Sequence, residues 1–400
     1  MPVILSPTPS SSATLRELPK TGDRHMLQLD ALRAFAVLAV LLQHTITMPA
    51  PLNFGRAGVR LFYVLSGFLI TRILLQARAR SVGKNDAFHA LRAFYSRRVL
   101  RIFPLYYLVL AAAFMLAVPR FGEYCWSLVT YTSNLQVAAT GNFQEQPFGH
   151  FWSLAVEEQF YVLWPVLMLF LPRRWLLPTI VATILIGPLS RLLLLHIGRG
   201  VAYEVMTTSC LDTLGAGALL AFLREDGNLP PSAMRRIGNW WLGAGIVILA
   251  LIALPALALR AYTPAKVLLD TAYLSIFAWL VARAADGFSG WIKRLLELKP
   301  LVYLGTISYG VYVYHYFVPV VSEGLSPSHN GMNLFLYVTL VTIAVATVSW
   351  FLFEKPLNDL KRYLPYHRPK RIVVTIRAPR REWSTTPKEE VSRAVSVPSD

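Results

Sequence analysis

Ten blocks of apolar residues, each close to the length that crosses a lipid bilayer as a helix, constrain this chain more than any other feature. Hydrophobic residues make up 55% of the chain and charged residues 15%, whereas a soluble domain carries about 25% charge. One soluble core could not bury this much apolar surface. The sequence therefore predicts an all-α, polytopic membrane helix bundle with about ten transmembrane helices. The predicted spans are Leu29–Thr47, Ala57–Leu75, Leu100–Val118, Phe151–Leu171, Leu176–His196, Thr208–Leu223, Trp240–Leu257, Val267–Ala282, Leu301–Val321 and Asn333–Phe353.

The remaining segments are too polar to span a membrane. Tyr124–Val137 is predicted to form a short helix within a long loop before span four. Residues 1–24 are rich in Ser, Thr and Pro and lack the apolar core of a signal peptide. Residues 357–400 are basic and contain several prolines. We predict one ten-span membrane domain, residues 25–356, with a disordered cytoplasmic tail at each end.

Lys and Arg residues are concentrated in alternate loops. They precede span one and follow spans two, four, six and eight, whereas the segment between Val321 and Asn333 contains neither residue type. Loops rich in Lys and Arg remain cytoplasmic, so we predict a multi-pass protein of the cell membrane with both termini inside. This topology accounts for the formal net charge of +17. The lipid bilayer is therefore the expected partner, and nucleic acid is not.

The two cysteines, Cys125 and Cys210, both fall on the predicted outer side. A disulfide and two separately packed thiols both remain open. No group of Cys and His residues has the spacing of metal ligands, so no metal is predicted.

Ionisable residues inside apolar spans are the first candidates for a functional site, because a charge in hydrocarbon is costly. Span one contains Arg33 and His44. Eleven residues at 100° each return them to nearly the same helix face, ~16 Å apart along the axis. One face of this helix therefore presents a cation near the cytoplasm and an imidazole in the outer half. That arrangement suits an elongated anionic donor.

Three other spans are predicted to bring ionisable side chains to the depth of His44. These side chains are Glu157, Asp212 and His315. A neutral imidazole beside a carboxylate can take a proton from a hydroxyl, so His44 and Glu157 are the predicted catalytic pair. A structural interpretation also stays open, in which the buried carboxylates pair with Arg60 or Arg191.

Several blocks, in order, resemble the acyltransferase-3 membrane proteins, the group that contains O-antigen and exopolysaccharide acetylases. They cover roughly Leu29 to Pro356. The matching stretches are the Arg33–His44 span, GVRLFYVLSGFLI (Gly58–Ile70), FYSRRVLRIFPLYY (Phe94–Tyr107), HFWSLAVEEQFYVLWP (His150–Pro165), LDTLGAGALLA (Leu211–Ala221), ISYGVYVYH (Ile307–His315) and FEKP (Phe353–Pro356). The resemblance implies transfer of an acyl group, usually acetyl, from acyl-CoA to a hydroxyl of an extracytoplasmic saccharide or glycolipid. It implies acyl-CoA as co-substrate and no permanently bound cofactor.

The resemblance also implies roles for individual residues. His44 corresponds to the essential histidine and Arg33 to its companion. Arg97, Arg98 and Arg101 correspond to a basic motif for the donor's phosphates, although they could serve only as cytoplasmic anchors. The predicted substrate-binding set is Arg33, Arg97, Arg98, Arg101, Trp152, Ser153, Asp212, Tyr309 and His315.

Two of these assignments have open alternatives. Trp152 could be an interfacial anchor, and Tyr309 could bridge helices by a hydrogen bond. Two positions also depart from the family pattern, because Arg60 stands where an acid is common and Cys210 where an arginine is common.

In the predicted mechanism, the arginines hold the nucleotide end of acyl-CoA. His44, which Glu157 orients, then deprotonates the acceptor hydroxyl. A version in which His44 or Ser66 carries the acyl group covalently is equally compatible with the sequence. Two other function classes remain open. One is a proton-coupled transporter or flippase of a lipid-linked saccharide, which would use the same buried residues as a proton relay. The other is a different class of polytopic acyltransferase.

Overall fold

The structure, a computed structural model, describes residues 26–47, 53–81, 83–143, 148–225, 227, 230–253, 262–321 and 331–366. Every regular element in these residues is helical, as the apolar blocks predict. The elements are α1 (Leu27–Thr45), α2 (Phe54–Arg80), α3 (Lys84–Met115), α4 (Phe121–Val129), α5 (Ser133–Thr140), α6 (Phe151–Phe170), α7 (Arg173–His196), α8 (Ala202–Val205), α9 (Thr207–Glu225), α10 (Pro231–Ala253), α11 (Tyr262–Asp286), α12 (Gly290–Leu296), α13 (Lys299–Thr306), α14 (Ser308–Tyr314), α15 (Phe317–Val321), α16 (Met332–Ser349), a π-helical turn (Trp350–Glu354), α17 (Lys355–Asp359) and a 3-10 turn (Leu360–Tyr363).

Nine stretches of helix in the described part of the chain are long and apolar enough to cross a membrane, which confirms a polytopic helical bundle. They correspond to predicted spans one to eight and ten, except that the end of span seven, after Ala253, lies outside the described residues. Predicted span nine is also helical but is divided into α13, α14 and α15. The predicted single loop helix is in fact two, α4 and α5. They are separated near Tyr131, whose φ of 53° is left-handed.

The centre of the bundle is built around α1 and α2. Helix α2 packs closely on α9, because a Cβ atom on Gly67 would overlap the carbonyl of Leu214, and one on Gly217 would overlap that of Val64. Small residues let membrane helices approach until their backbones touch. Helix α1 contacts α2 and α13. Several polar residues of α1 and α2 are buried in the interior of the protein: Gln28, Asp30, Thr45, Arg60 and Thr71.

The chain stays ordered beyond the predicted end of the membrane domain. Residues 357–366 were predicted to be disordered, but they include α17 and the 3-10 turn. Arg97 of α3 explains this order, since its Nη1 donates to the carbonyl oxygens of Lys361 and Leu364, both at 3.1 Å. Its guanidinium carbon also lies 4.9 Å from the centre of the Tyr366 ring. Residues 1–24 and 367–400, the rest of the predicted tails, lie outside the described residues.

The predicted orientation can be tested with reporter fusions. We expect a fusion after Tyr366 to report a cytoplasmic location and an insertion within residues 141–146 to report an external one, because Lys- and Arg-rich loops remain inside. Paired alkaline phosphatase and green fluorescent protein fusions at both sites measure this. The same location at both sites would contradict the ten-span topology.

Candidate active site

Two cavities share a wall formed by Val59 and Tyr312. The volumes of the two cavities are about 110 Å³ and about 220 Å³. The arginine cavity, as we call the first, has the polar lining residues Arg33, Ser66, Arg98, Arg101, Ser153, Glu157, Glu158, Tyr161, Ser308 and Tyr309. The histidine cavity has the polar lining residues Gln43, His44, Asn53, Arg56, Arg60, His150, Trp152, Glu204 and Tyr316.

The two cavities are stacked along the helices. Helix α1 supplies Arg33 to the arginine cavity and, eleven residues later, His44 to the histidine cavity. Helix α2 runs the other way and supplies Arg56 before Ser66. The same face of α1 therefore lines both cavities, as the spacing of Arg33 and His44 predicts.

Tyr312 separates the cavities and is held in place by hydrogen bonds to α6 and its N-terminus. Its hydroxyl donates to the carbonyl oxygen of His150 at 2.9 Å and lies 2.5 Å from Oγ of Ser153. The predicted substrate-binding residue Ser153 thus lines the arginine cavity and also fixes the wall between the two cavities.

His44 and His315 are in contact, and their hydrogen bonds define which ring nitrogen can act as a base. Nδ1 of His315 lies 2.5 Å from the carbonyl oxygen of Tyr312, which can only accept, so this nitrogen carries the proton. Nε2 of a neutral His315 is then an acceptor, and it lies 3.1 Å from Nδ1 of His44. His44 must donate from Nδ1, which leaves the lone pair on its Nε2. The contact fixes the orientation of the His44 ring and leaves its Nε2 able to accept a proton.

His150 is a member of this cluster that the sequence analysis missed. Its ring stacks on Tyr316, with centroids 4.8 Å apart and planes 8° apart, and its centroid is 4.9 Å from that of His315. The ring of Tyr316 also packs edge-on against His44 at 4.5 Å. His150 opens the HFWSL motif two residues before Trp152, and that position was the signal that could have identified it.

Glu157 is not the partner of His44, which corrects the predicted pair. It lies five residues beyond Trp152 on α6, or ~7.5 Å deeper along the helix, and it lines the arginine cavity. Its Oε1 accepts a hydrogen bond of 2.7 Å from Oγ of Ser66. Tyr161 donates in turn to Oγ of Ser66 at 2.9 Å. Glu157 is therefore hydrogen-bonded to a hydroxyl of the protein, and the two residues line the same cavity.

Three arginines supply the positive charge of the arginine cavity: Arg33, Arg98 and Arg101. Arg98 lies over the ring of Tyr161, 4.4 Å from its centre, and Arg33 is paired with Asp30 on its own helix. Arg97, the fourth predicted donor-binding residue, does not line this cavity. The structure does not bring Arg97 together with the other three, because its side chain contacts the C-terminal segment.

Two further predicted residues have mainly structural contacts. Tyr309 lines the arginine cavity, but its hydroxyl donates to the carbonyl oxygen of Ile102 at 2.9 Å, which matches the helix-bridging interpretation. Asp212 lines neither cavity and pairs with Arg191 at 2.6 Å. The predicted convergence of Asp212 with His44 is therefore corrected in favour of the ion pair.

Asp270 completes a buried charge network that the sequence analysis did not identify. Its carboxylate accepts from Arg56 at 2.6 and 2.9 Å and from Arg60 at 3.2 and 3.3 Å, and Nε of Arg191 lies 3.5 Å away. Asp270 lies in predicted span eight, so the criterion of an ionisable residue in an apolar span could have found it. The network ties α2 and α7 to α11.

Cys125 and Cys210 are both free thiols, so the packed-thiol interpretation holds and the disulfide does not. Cys210 is buried next to Arg60. The two positions that depart from the family pattern are thus neighbours, and Asp270 balances the charge of Arg60.

Known proteins resemble the chain over most of its length. A sequence profile described as an acyltransferase domain, acyltransferase-3, matches residues 26–354. The chain is 28% identical to YrhL of Bacillus subtilis, named as a candidate peptidoglycan O-acetyltransferase, over 91% of the chain and 58% of the relative. It is 28% identical to the O-acetyltransferase OatA of Staphylococcus aureus, over 84% of the chain and 57% of the relative. It is 26% identical to the peptidoglycan O-acetyltransferase OatA of Listeria monocytogenes, over 90% of the chain and 60% of the relative.

The chain spans less than two thirds of the length of these relatives. No solved structure matches it significantly. The profile match over 26–354 includes both cavities and every predicted site residue. The chain belongs to the acyltransferase-3 family.

Proposed function

We propose that this protein transfers an acetyl group from acetyl-CoA, bound on the cytoplasmic side, to a hydroxyl of a cell-envelope saccharide. The observation that carries the proposal is the pair of cavities on the two sides of Tyr312, one with three arginines and the other with an oriented histidine. Two of the relatives are named as peptidoglycan O-acetyltransferases, which supports both acetyl as the group and a glycan as the acceptor class.

The arginine cavity suits the anionic donor. Acetyl-CoA carries several phosphate charges on a long flexible arm, and guanidinium groups form strong, charge-assisted hydrogen bonds with phosphate. Arg98 and Arg101 lie on α3, close to the C-terminal segment, which we predict to be cytoplasmic. The donor therefore enters beside α3 and extends its thioester toward Glu157 and Tyr312.

The histidine cavity suits a saccharide hydroxyl. Trp152 offers a ring face, while Asn53, Arg56 and Glu204 offer hydrogen-bonding groups beside His44. A neutral His44 with its lone pair on Nε2 can accept the hydroxyl proton as the oxygen attacks the acetyl carbonyl. In this arrangement His315 orients the base through the 3.1 Å contact, as the carboxylate does in other histidine bases.

Arg98 and Arg101 provide the first test of the donor site. We expect Arg98→Gln and Arg101→Gln each to raise the KM for acetyl-CoA roughly 10- to 100-fold, because a hydrogen bond to a charged group contributes about 1.5–3 kcal/mol. Arg97→Gln is the matched control, since Arg97 binds the C-terminal segment. Its donor KM should stay near that of the wild type. If the KM for acetyl-CoA in all three variants equals that of the wild type, these arginines do not bind the donor.

The proposed reaction is tested with purified protein in detergent. Radiolabelled acetyl-CoA is supplied together with soluble glycan fragments, and labelled ester is measured after separation of the glycan. We expect transfer without any ion gradient, because an acyltransferase needs only its two substrates. A protein that forms no ester, but moves a lipid-linked saccharide across vesicles without acetyl-CoA, would support the transporter interpretation instead.

A further inference from the structure

Each cavity contains its own hydroxyl-activating arrangement. In the histidine cavity, His44 is oriented by His315 and needs no carboxylate to hold it. In the arginine cavity, Glu157 accepts from Ser66 at 2.7 Å. A single direct transfer to the acceptor requires only one base. The second arrangement, on the donor side of Tyr312, therefore calls for a separate role.

We propose that Ser66 is an acyl carrier: it takes the acetyl group from acetyl-CoA in the arginine cavity and passes it to the acceptor. The proposal rests on the proposed function and adds a covalent step to it. A hydroxyl within hydrogen-bond reach of a carboxylate base is the usual geometry of an activated oxygen nucleophile. Ser66 shares its cavity with the arginines that we assign to the donor.

The neighbours of Ser66 suit this chemistry. Tyr161 donates to Oγ of Ser66 at 2.9 Å, so a hydrogen bond is already in place for negative charge that develops on this oxygen. Arg33 and Arg98 line the same cavity as Glu157 and bring positive charge to it. Ser66 is only partly buried, so its oxygen is accessible from the cavity.

The first step transfers the acetyl group to the protein. Oγ of Ser66 attacks the thioester carbonyl, Glu157 accepts the hydroxyl proton, and the carbon–sulfur bond breaks. The CoA thiolate leaves and takes a proton from solvent. The product is acetyl-Ser66 beside a protonated Glu157.

The second step transfers the acetyl group from Ser66 to the acceptor. The acceptor oxygen, which His44 deprotonates, attacks the acetyl carbonyl, and the bond to Oγ of Ser66 breaks. Glu157 returns its proton to Ser66, and His44 loses its proton to solvent. The wall residue Tyr312 must move aside for this step, and its two hydrogen bonds to residues 150 and 153 hold it closed otherwise.

The test is to trap the acetylated protein. Purified wild-type, His44→Ala, Ser66→Ala and Ser275→Ala proteins are mixed with labelled acetyl-CoA and no acceptor, then quenched and digested for mass spectrometry. Ser275 is the matched control, a serine in α11 that donates to the carbonyl of Thr271 and lines neither cavity. We expect an ester on Ser66 in the His44→Ala protein, with release of up to one equivalent of CoA. Ser66→Ala should show no label, while Ser275→Ala should resemble the wild type.

Some outcomes would overturn the inference while leaving the proposed function intact. One is that the wild-type protein acetylates glycan while Ser66 of the His44→Ala protein carries no label. Another is glycan acetylation by Ser66→Ala within a few-fold of the wild type, and a third is an ester on His44 or Tyr161 instead of Ser66. No transfer to glycan and no label on any of the proteins would instead overturn the proposed function along with the carrier.

Discussion

His44→Ala should reduce acetyl transfer to glycan to near background, a loss of roughly 10²–10⁴-fold, which is the typical contribution of a general base. His44 lies at the end of α1 in the histidine cavity, with its Nδ1 engaged by His315 and its Nε2 left as the base. Donor binding should stay close to wild type, because the arginines line the other cavity. Steady-state transfer and acetyl-CoA binding, measured on the same purified protein, separate the two effects.

His196→Ala is the matched control for this substitution. His196 is an exposed histidine at the end of α7 and lines neither cavity, so its removal should leave transfer unchanged. His315→Ala should lower turnover less than His44→Ala, because it removes the group that orients the base and not the base itself. If His44→Ala retains transfer within a few-fold of the wild type, His44 is not the base.

Asp270→Asn should destabilise the folded protein by about 3–5 kcal/mol, the usual cost of removing one partner from a buried ion pair. Asp270 has no exposed surface and binds Arg56 and Arg60, both on α2, while Arg191 lies near it from α7. Loss of the carboxylate charge leaves the positive charges of these arginines buried with less negative charge beside them. The unfolding midpoint in detergent should fall by several degrees, as measured by intrinsic fluorescence.

The control is an ion pair at the surface. Glu123 pairs with Arg120 at 3.1 Å, and their side chains are 57% and 42% exposed. Glu123→Gln should therefore change stability by at most about 1 kcal/mol. An Asp270→Asn midpoint equal to that of Glu123→Gln would show that the network around Asp270 does not stabilise the bundle.

The sequence predicts those features that depend on one helix at a time. Apolar length identifies the spans, and the 100° rotation per residue places Arg33 and His44 on one face. Both hold in the structure, where α1 supplies the two residues to adjoining cavities. The predicted proximity of His315 to His44 is also found, at 3.1 Å.

Apart from the proximity of His315 to His44, the features that depend on how helices meet were not predicted in this way. The depth of Glu157 was inferred from an assumed membrane surface, whereas the start of α6 and the position of Ser66 on α2 decide which cavity it joins. Counting residues along the span places the carboxylate of Asp212 at the depth of His44. In the structure, Gly187 lets α7 approach Asp212 closely, and the carboxylate forms an ion pair with Arg191 of α7. The contacts of Arg97 were not predictable for the same reason, because only the fold brings residues 361–366 to α3.

Our central proposal is that the donor and the acceptor bind on opposite sides of Tyr312 and reach the site from opposite sides of the membrane. Proteoliposomes with a known orientation, read from protease access to the C-terminal segment, test it directly. Acetyl-CoA is added on the side of residues 355–366, and glycan fragments are enclosed on the other. We predict acetylated glycan on the far side, lost in His44→Ala. Acetylation that occurs only when both substrates are on the same side would contradict the account.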